Sequence, residues 1–223
     1  MIAIGEVLSR VRNQVKGSKQ DAFLTDRYLY SLVMKHAKML IRRQDIQNKI
    51  MKFNAVFQVL NFVELIEVDR AESQCHCITT GCTFKRTKER VPRAFEGIFG
   101  PLFRSVTSID LSEEVVPTFP SVFQKMVNQK TFKYNKKKYY WYLDGYVYFP
   151  NLEWDAVRIE GLFEGDISRY NCDTTDDCAY IQDTMFTIPE YLYSEIEQLV
   201  VKDLYGMMNV PQDNQQDNKN IVK

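Results

Sequence analysis

The chain has 223 residues with 29 basic and 29 acidic side chains, so no net field draws it toward nucleic acid or an anionic membrane. Thirteen Tyr, fourteen Phe and two Trp beside nine Gly point instead to wide contact surfaces, because aromatic rings bury much area for little lost rotamer freedom. No stretch reaches the roughly 18 apolar residues of a membrane span, and the charges in MIAIGEVLSRVRNQV interrupt a signal peptide's apolar core, so the expectation is a soluble protein made inside the cell.

In chain order, Ile4, Val7, Leu8, Val11 and Val15 recur at helical spacing and Gly17 follows as a stop. A second helix is predicted after the N-cap candidate Thr25. Leu29, Leu32, Val33, His36, Met39 and Leu40 form its stripe, with Lys35, Lys38, Arg42 and Arg43 outside it. His36 lies inside that stripe and reads as a satisfied core histidine. A third, less regular helix is predicted from Asp45 to Leu60, carrying Ile46, Ile50, Phe53 and Phe57.

From Phe62 the period shortens toward two. FVELIEVD and LFRSVTSID read as strands, and ESQCHCITTGCTFKRTKERVPR between them as a polar loop or protruding hairpin. TFPSVFQKMVNQ fits neither period. In KKKYYWYLDGYVYFPN, Asp144-Gly145 between strand-formers predicts a two-residue hairpin pairing Leu143 with Tyr146, Tyr142 with Val147 and Trp141 with Tyr148. Alternation then puts Leu143, Tyr146, Trp141 and Tyr148 on one face and Tyr142, Val147, Tyr140 and Phe149 on the other. Both faces are apolar, so both need cover, one from the core and one from another element or a neighbouring subunit. Pro150 ends the hairpin, and WDAVRIEGLFE supplies a further strand with Val157, Ile159 and Phe163 on one face. Thr187 and Glu190 make a capping box, with Pro189 in the first turn of a last helix. That helix buries Leu192, Ile196, Leu199, Val200 and Leu204 and stops at Gly206, before a polar tail.

The elements add up to an α+β fold: N-terminal helices over 1–60, a β-rich region over 61–185 with the aromatic hairpin, a C-terminal helix over 186–206 packing with the first helices, and an extended arm over 207–223. Nothing in the sequence marks a linker or an internal repeat.

Reactive signatures are absent: no G-x-S-x-G elbow, no phosphate-binding G-x-x-x-x-G-K, no H-E-x-x-H, and two histidines in all. The expectation is no enzyme and no cofactor, although a carboxylate-pair glycosidase would leave no local motif. Five cysteines, Cys75, Cys77, Cys82, Cys172 and Cys178, are odd in number and lack C-x-x-C spacing. They read as reduced loop thiols, with a structural zinc held by two groups of thiolates left open. Lys130, Lys133, Lys136, Lys137 and Lys138 interleave with Phe132, Tyr134, Tyr139, Tyr140 and Trp141. Such a cluster can stack on single-stranded nucleic acid, but the hairpin already accounts for its aromatics, which favours a lysine-rich turn.

IGEVLSRVRNQVKGSKQDAFLTDRYLYSLVMKHAKML, FNAVFQVLNFVELIEVD, GPLFRSVTSID, FKYNKKKYYWYLDGYVYFPN, VRIEGLFEGDIS and IPEYLYSEIEQLVVKDLYGMMNVPQDNQQDN resemble the head–tail neck ring proteins of crAss-like bacteriophages. The resemblance spans nearly the whole chain. It implies a virion protein in a twelvefold homo-oligomeric ring beneath the portal, contacting neighbouring tail and ring proteins, with genomic DNA passing through its lumen without specific binding. It also implies a C-terminal arm that reaches onto the portal, and the arm's length and polar side chains make an adjacent ring subunit the other expected partner. The seventeen residues from Met207 to Lys223 can extend about 50 Å. Candidate arm contacts are Met207, Asn209, Pro211, Asp213, Asn214 and Asp217. Trp141, Tyr146 and Tyr148 are candidate subunit anchors, and Lys136, Lys137 and Lys138 candidate channel contacts. A tail or baseplate ring, and more distantly a single-stranded nucleic-acid binder, are the alternatives.

Overall fold

A computed structural model describes residues 3–15, 24–47, 49, 57–68, 84–164, 167, 170 and 188–208. Helix α1 spans Ile4–Val15 and buries the five residues of its predicted stripe. Helix α2 spans Asp26–Ile46, and the Thr25 side chain accepts a hydrogen bond from the Tyr28 N–H as the expected N-cap. Its buried face is Leu29, Leu32, Val33, His36, Ala37, Leu40 and Ile41, whereas Met39 points outward and is half exposed. A 3₁₀ turn, Glu190–Leu192, leads into helix α4, Tyr193–Met208. Gly206 does not stop that helix, which continues in right-handed geometry to Met208. Thr187, half of the expected capping box, lies outside the described residues.

These three helices share one core. Val7, Leu8 and Val11 meet Leu29, Val33 and Leu40 and, from α4, Ile196, Val200 and Leu204. Polar contacts fix their register: Arg12 with Asp26 between α1 and α2, the Tyr205 hydroxyl donating to Gln14 O at 3.2 Å between α4 and α1, and His36 with Asp203 between α2 and α4.

The predicted third helix is corrected. Leu60 belongs to strand β1, Gln58–Glu67, and Phe57 just before it is not helical. Ile50 and Phe53 lie outside the described residues. The remaining strands are β2 Lys85–Thr87, β3 Glu96–Gly97, β4 Gly100–Pro101, β5 Phe103–Thr107, β6 Val115–Pro117, β7 Lys138–Leu143, β8 Tyr146–Phe149 and β9 Ala156–Gly161. Seven of the strands form one sheet in the order β5-β9-β1-β2-β8-β7-β6, antiparallel except for the β6–β7 pair, while β3 and β4 make a separate hairpin. An isolated bridge between Thr107 and Glu114 joins the two outer strands, so the sheet curls into a barrel.

The barrel interior is filled by Val63, Val106, Val115, Tyr140, Val147, Phe149, Val157 and Ile159. The Asp144-Gly145 turn has φ of 51° and 88°, the geometry that a two-residue hairpin of this hand requires, and the register is as predicted. Its outer face, Trp141 and Tyr148, is covered from within the same chain by Phe84 and by helix α3, Pro120–Val127. Phe123 of α3 makes edge contacts with Phe132 and Tyr139 at 5.8 Å.

Of the stretch 72–93, expected as a polar loop or protruding hairpin, residues 72–83 lie outside the described residues, and the expectation is corrected at 85–87 alone. Lys85–Thr87 sits in the middle of the sheet between β1 and β8. Lys85 is buried there because its ammonium donates to Glu153 O, Trp154 O and Asp155 Oδ1, each at 3.0 Å.

Candidate functional site

The expected site residues fall into three groups. Met207 is half exposed at the end of α4 and accepts a hydrogen bond on its sulfur from the Tyr28 hydroxyl, 3.0 Å away. Asn209, Pro211, Asp213, Asn214 and Asp217 lie outside the described residues, as do all five cysteines.

Trp141 and Tyr148, expected as exposed anchors, are only 3% and 6% exposed. They support the subunit's own outer core, because α3, whose period was illegible in the sequence, closes over them. Tyr146 is different. It stands at the rim beneath the Arg86 guanidinium, 4.2 Å from its ring centre, with Arg90 at 5.7 Å. Hydrogen bonds from Arg86 and then Arg90 hold its phenol below the ordinary tyrosine range.

Of the lysine cluster, Lys136 and Lys137 are exposed, while Lys138 pairs with Glu113 at 2.7 Å and lies over the Trp154 ring at 4.2 Å. The cluster therefore resolves into a turn, with Tyr139 and Trp141 inside the fold.

Two features of the described surface were not revealed by the sequence. The first is an apolar groove of about 630 Å³ between the β3–β4 hairpin and the chain leaving β6, walled by Phe99, Pro117, Phe119, Val122, Trp141 and Tyr142. Phe99 is 89% exposed and Phe119 61%. Strand β6 ends at Pro117, opposite Tyr140, so β7 continues beyond it without that neighbour. The Val147 N–H turns away from β7 to the Thr87 hydroxyl, so Tyr142 and Val147 are not a hydrogen-bonded pair. By strand alternation the Tyr142 N–H and C=O face the groove, on the side where Thr118 N meets Tyr140 O.

The second is the loop between β5 and β6. Its residues Ile109 and Leu111 are 51% and 57% exposed, and Leu111 has φ of 62°. The Ser108 hydroxyl donates to Asp110 and accepts from the Glu113 N–H at 3.2 Å, and Ser112 N–H donates to Asp110 Oδ1 at 3.2 Å. The Ser108 and Ser112 bonds lower the Asp110 carboxyl to a pKa of about 2. The loop is thus braced in one shape with two aliphatic side chains pointing into water.

Among the described residues no three His, Cys, Asp or Glu side chains converge as metal ligands, and no helix is long and apolar enough to cross a membrane. No curated protein matches the chain. Residues 6–220 match a family of crAss-like phages described as phage tail ring protein 2. This covers almost the whole chain, and we conclude that it belongs to that family, as a structural, ring-forming component of a bacteriophage virion.

Proposed function

We propose that this subunit forms the ring next to the portal, where it joins the tail to a DNA-filled head and continues the channel. The observation that carries this reading is the family match over residues 6–220, taken with the resemblance of the same stretches to neck rings. The ring has twelve copies, to follow the portal's symmetry. Met207, Asn209, Pro211, Asp213, Asn214 and Asp217 form an arm that docks on the portal or an adjacent subunit. A polar segment with only Val210 as an aliphatic residue between Asn209 and Asn220 gains order through fixed partners for its amides and backbone. Tyr146, with Arg86 and Arg90 against it, lies at a subunit boundary. Lys136 and Lys137 face the passing DNA as unspecific counter-charge.

A cryo-EM average of the particle neck tests position and copy number together. A twelvefold ring of this chain directly beneath the portal is the expected result, and density for it elsewhere rejects the reading. Removal of residues 207–223 is expected to abolish co-purification with portal, and undiminished capture rejects the arm. A ring farther along the tail is the second reading, favoured by the word "tail" in the family's description.

A further inference from the structure

We propose that the β5–β6 loop of one subunit seats Ile109 and Leu111 in the Phe99–Phe119 groove of the next copy, making the head-to-tail contact of the ring. The inference rests on the ring-forming reading and adds the residues that would close the ring.

A cyclic assembly needs two different, complementary patches on each subunit, because each copy presents one to its left and the other to its right. The loop and the groove meet that requirement. The loop enters β6 at its first residue, Val115, which pairs with Lys138 at the start of β7. The groove opens where β6 stops and follows β7 toward Leu143. The two features therefore lie toward opposite ends of the barrel.

Their chemistry matches as well. Leu111 occupies a left-handed conformation that branched and bulky side chains avoid, and such a residue persists only where its surroundings over-determine it. Here hydrogen bonds from Ser108 and Ser112 supply the constraint, so the aliphatic tip is held ready for contact at little further entropy cost. The groove offers aromatic walls and the two main-chain groups of Tyr142.

The stretch Asn209–Asn220 of a neighbour's arm is a poorer occupant, since Val210 is its one aliphatic side chain.

The test uses the full chain in two exposed-residue variants, Leu111→Asp on the loop and Phe119→Asp on the groove, with circular dichroism to verify their fold. Wild-type protein is expected to assemble in native mass spectrometry, and each variant alone to stay monomeric. Mixed in equal amounts, the two variants should form a one-to-one dimer and nothing larger, because one intact loop and one intact groove remain.

Assembly of either variant to the wild-type mass, or a mixture that stays monomeric, overturns the contact while leaving the ring reading standing. In assembled particles, a photo-crosslinking side chain at position 119 should capture the peptide containing Leu111. Capture of a different virion protein there also overturns it. A particle image in which this chain forms no ring rejects the underlying reading instead.

Discussion

Leu111 shows how a single residue can serve the assembly at the expense of the subunit. Left-handed backbone costs a side-chain-bearing residue roughly 1–2 kcal/mol, and glycine escapes that cost while adding about 0.5–1 kcal/mol of chain entropy to the unfolded state. Leu111→Gly should therefore melt at the same temperature as wild type or slightly higher, yet associate less. A fall of several degrees in differential scanning calorimetry would contradict the strain assigned to it. His36 and Asp203 make a second case. His36 is buried, with Nε2 2.8 Å from Asp203 Oδ2 and no described partner for Nδ1. The hydrogen bond from His36, then that from Lys35, lowers the Asp203 carboxyl below its ordinary range. A depressed carboxylate contributes stability above its unfolded pKa, near 3.9, and that contribution fades as pH falls through the folded value. Urea midpoints at pH 5 and pH 3 should thus differ less in Asp203→Asn than in wild type. An unchanged difference would remove Asp203 from the acid response.

At the scale of elements, legibility followed how far each segment's own pattern fixes its structure. Helix α1, the start of α2 and the Asp144-Gly145 hairpin were readable because 3.6-residue periodicity, a Thr cap and a turn dipeptide act locally. Strand β2 was not, since Lys85-Arg86-Thr87-Lys88 looks solvated and becomes sheet only because carbonyls from distant Glu153 and Trp154 receive the Lys85 ammonium. Lys85→Met should leave those acceptors unsatisfied and cost about 1–3 kcal/mol in denaturant titrations. A neutral result would mean that the apolar stem alone holds the strand. Helix α3 escaped notice for the opposite reason, having one buried residue, Phe123, in a short segment. That ring, together with Phe84, covers the hairpin's outer face, so Phe123→Ala is expected to cost about 3–5 kcal/mol and to alter the near-ultraviolet signal of Trp141. The groove and the braced loop were illegible because neither has a local signature. Phe99 and Phe119 come together only once the chain between them has crossed the barrel.

At the scale of the whole molecule, the helical layer and the barrel are joined where α2 ends. Asp45 accepts the Ile98 N–H at 3.1 Å, which ties the tip of the β3–β4 hairpin to the helix. Gly97 sits against that joint. A Cβ there would collide with the Asp45 carboxylate and come within 2.8 Å of Leu102 Cδ2. Leu102 belongs to the core shared by the helices, as do Phe57, Phe95 and Leu162, so this hydrogen bond is one of several contacts between the layers. Gly97→Ala should therefore displace the carboxylate and lose about 0.5–1.5 kcal/mol, the net worth of one hydrogen bond, without unfolding either layer. The larger consequence should appear in assembly, because the residues carried by the displaced turn are Ile98 and Phe99, and Phe99 forms a wall of the groove. Measured together, the melting temperature should move little while the oligomer shifts toward smaller species. An unaltered oligomer would show that the hairpin's attachment to α2 does not set the groove's shape. A collapse of stability would show instead that the joint holds the two layers together, and that the helical layer is more than a platform for the surface the ring uses.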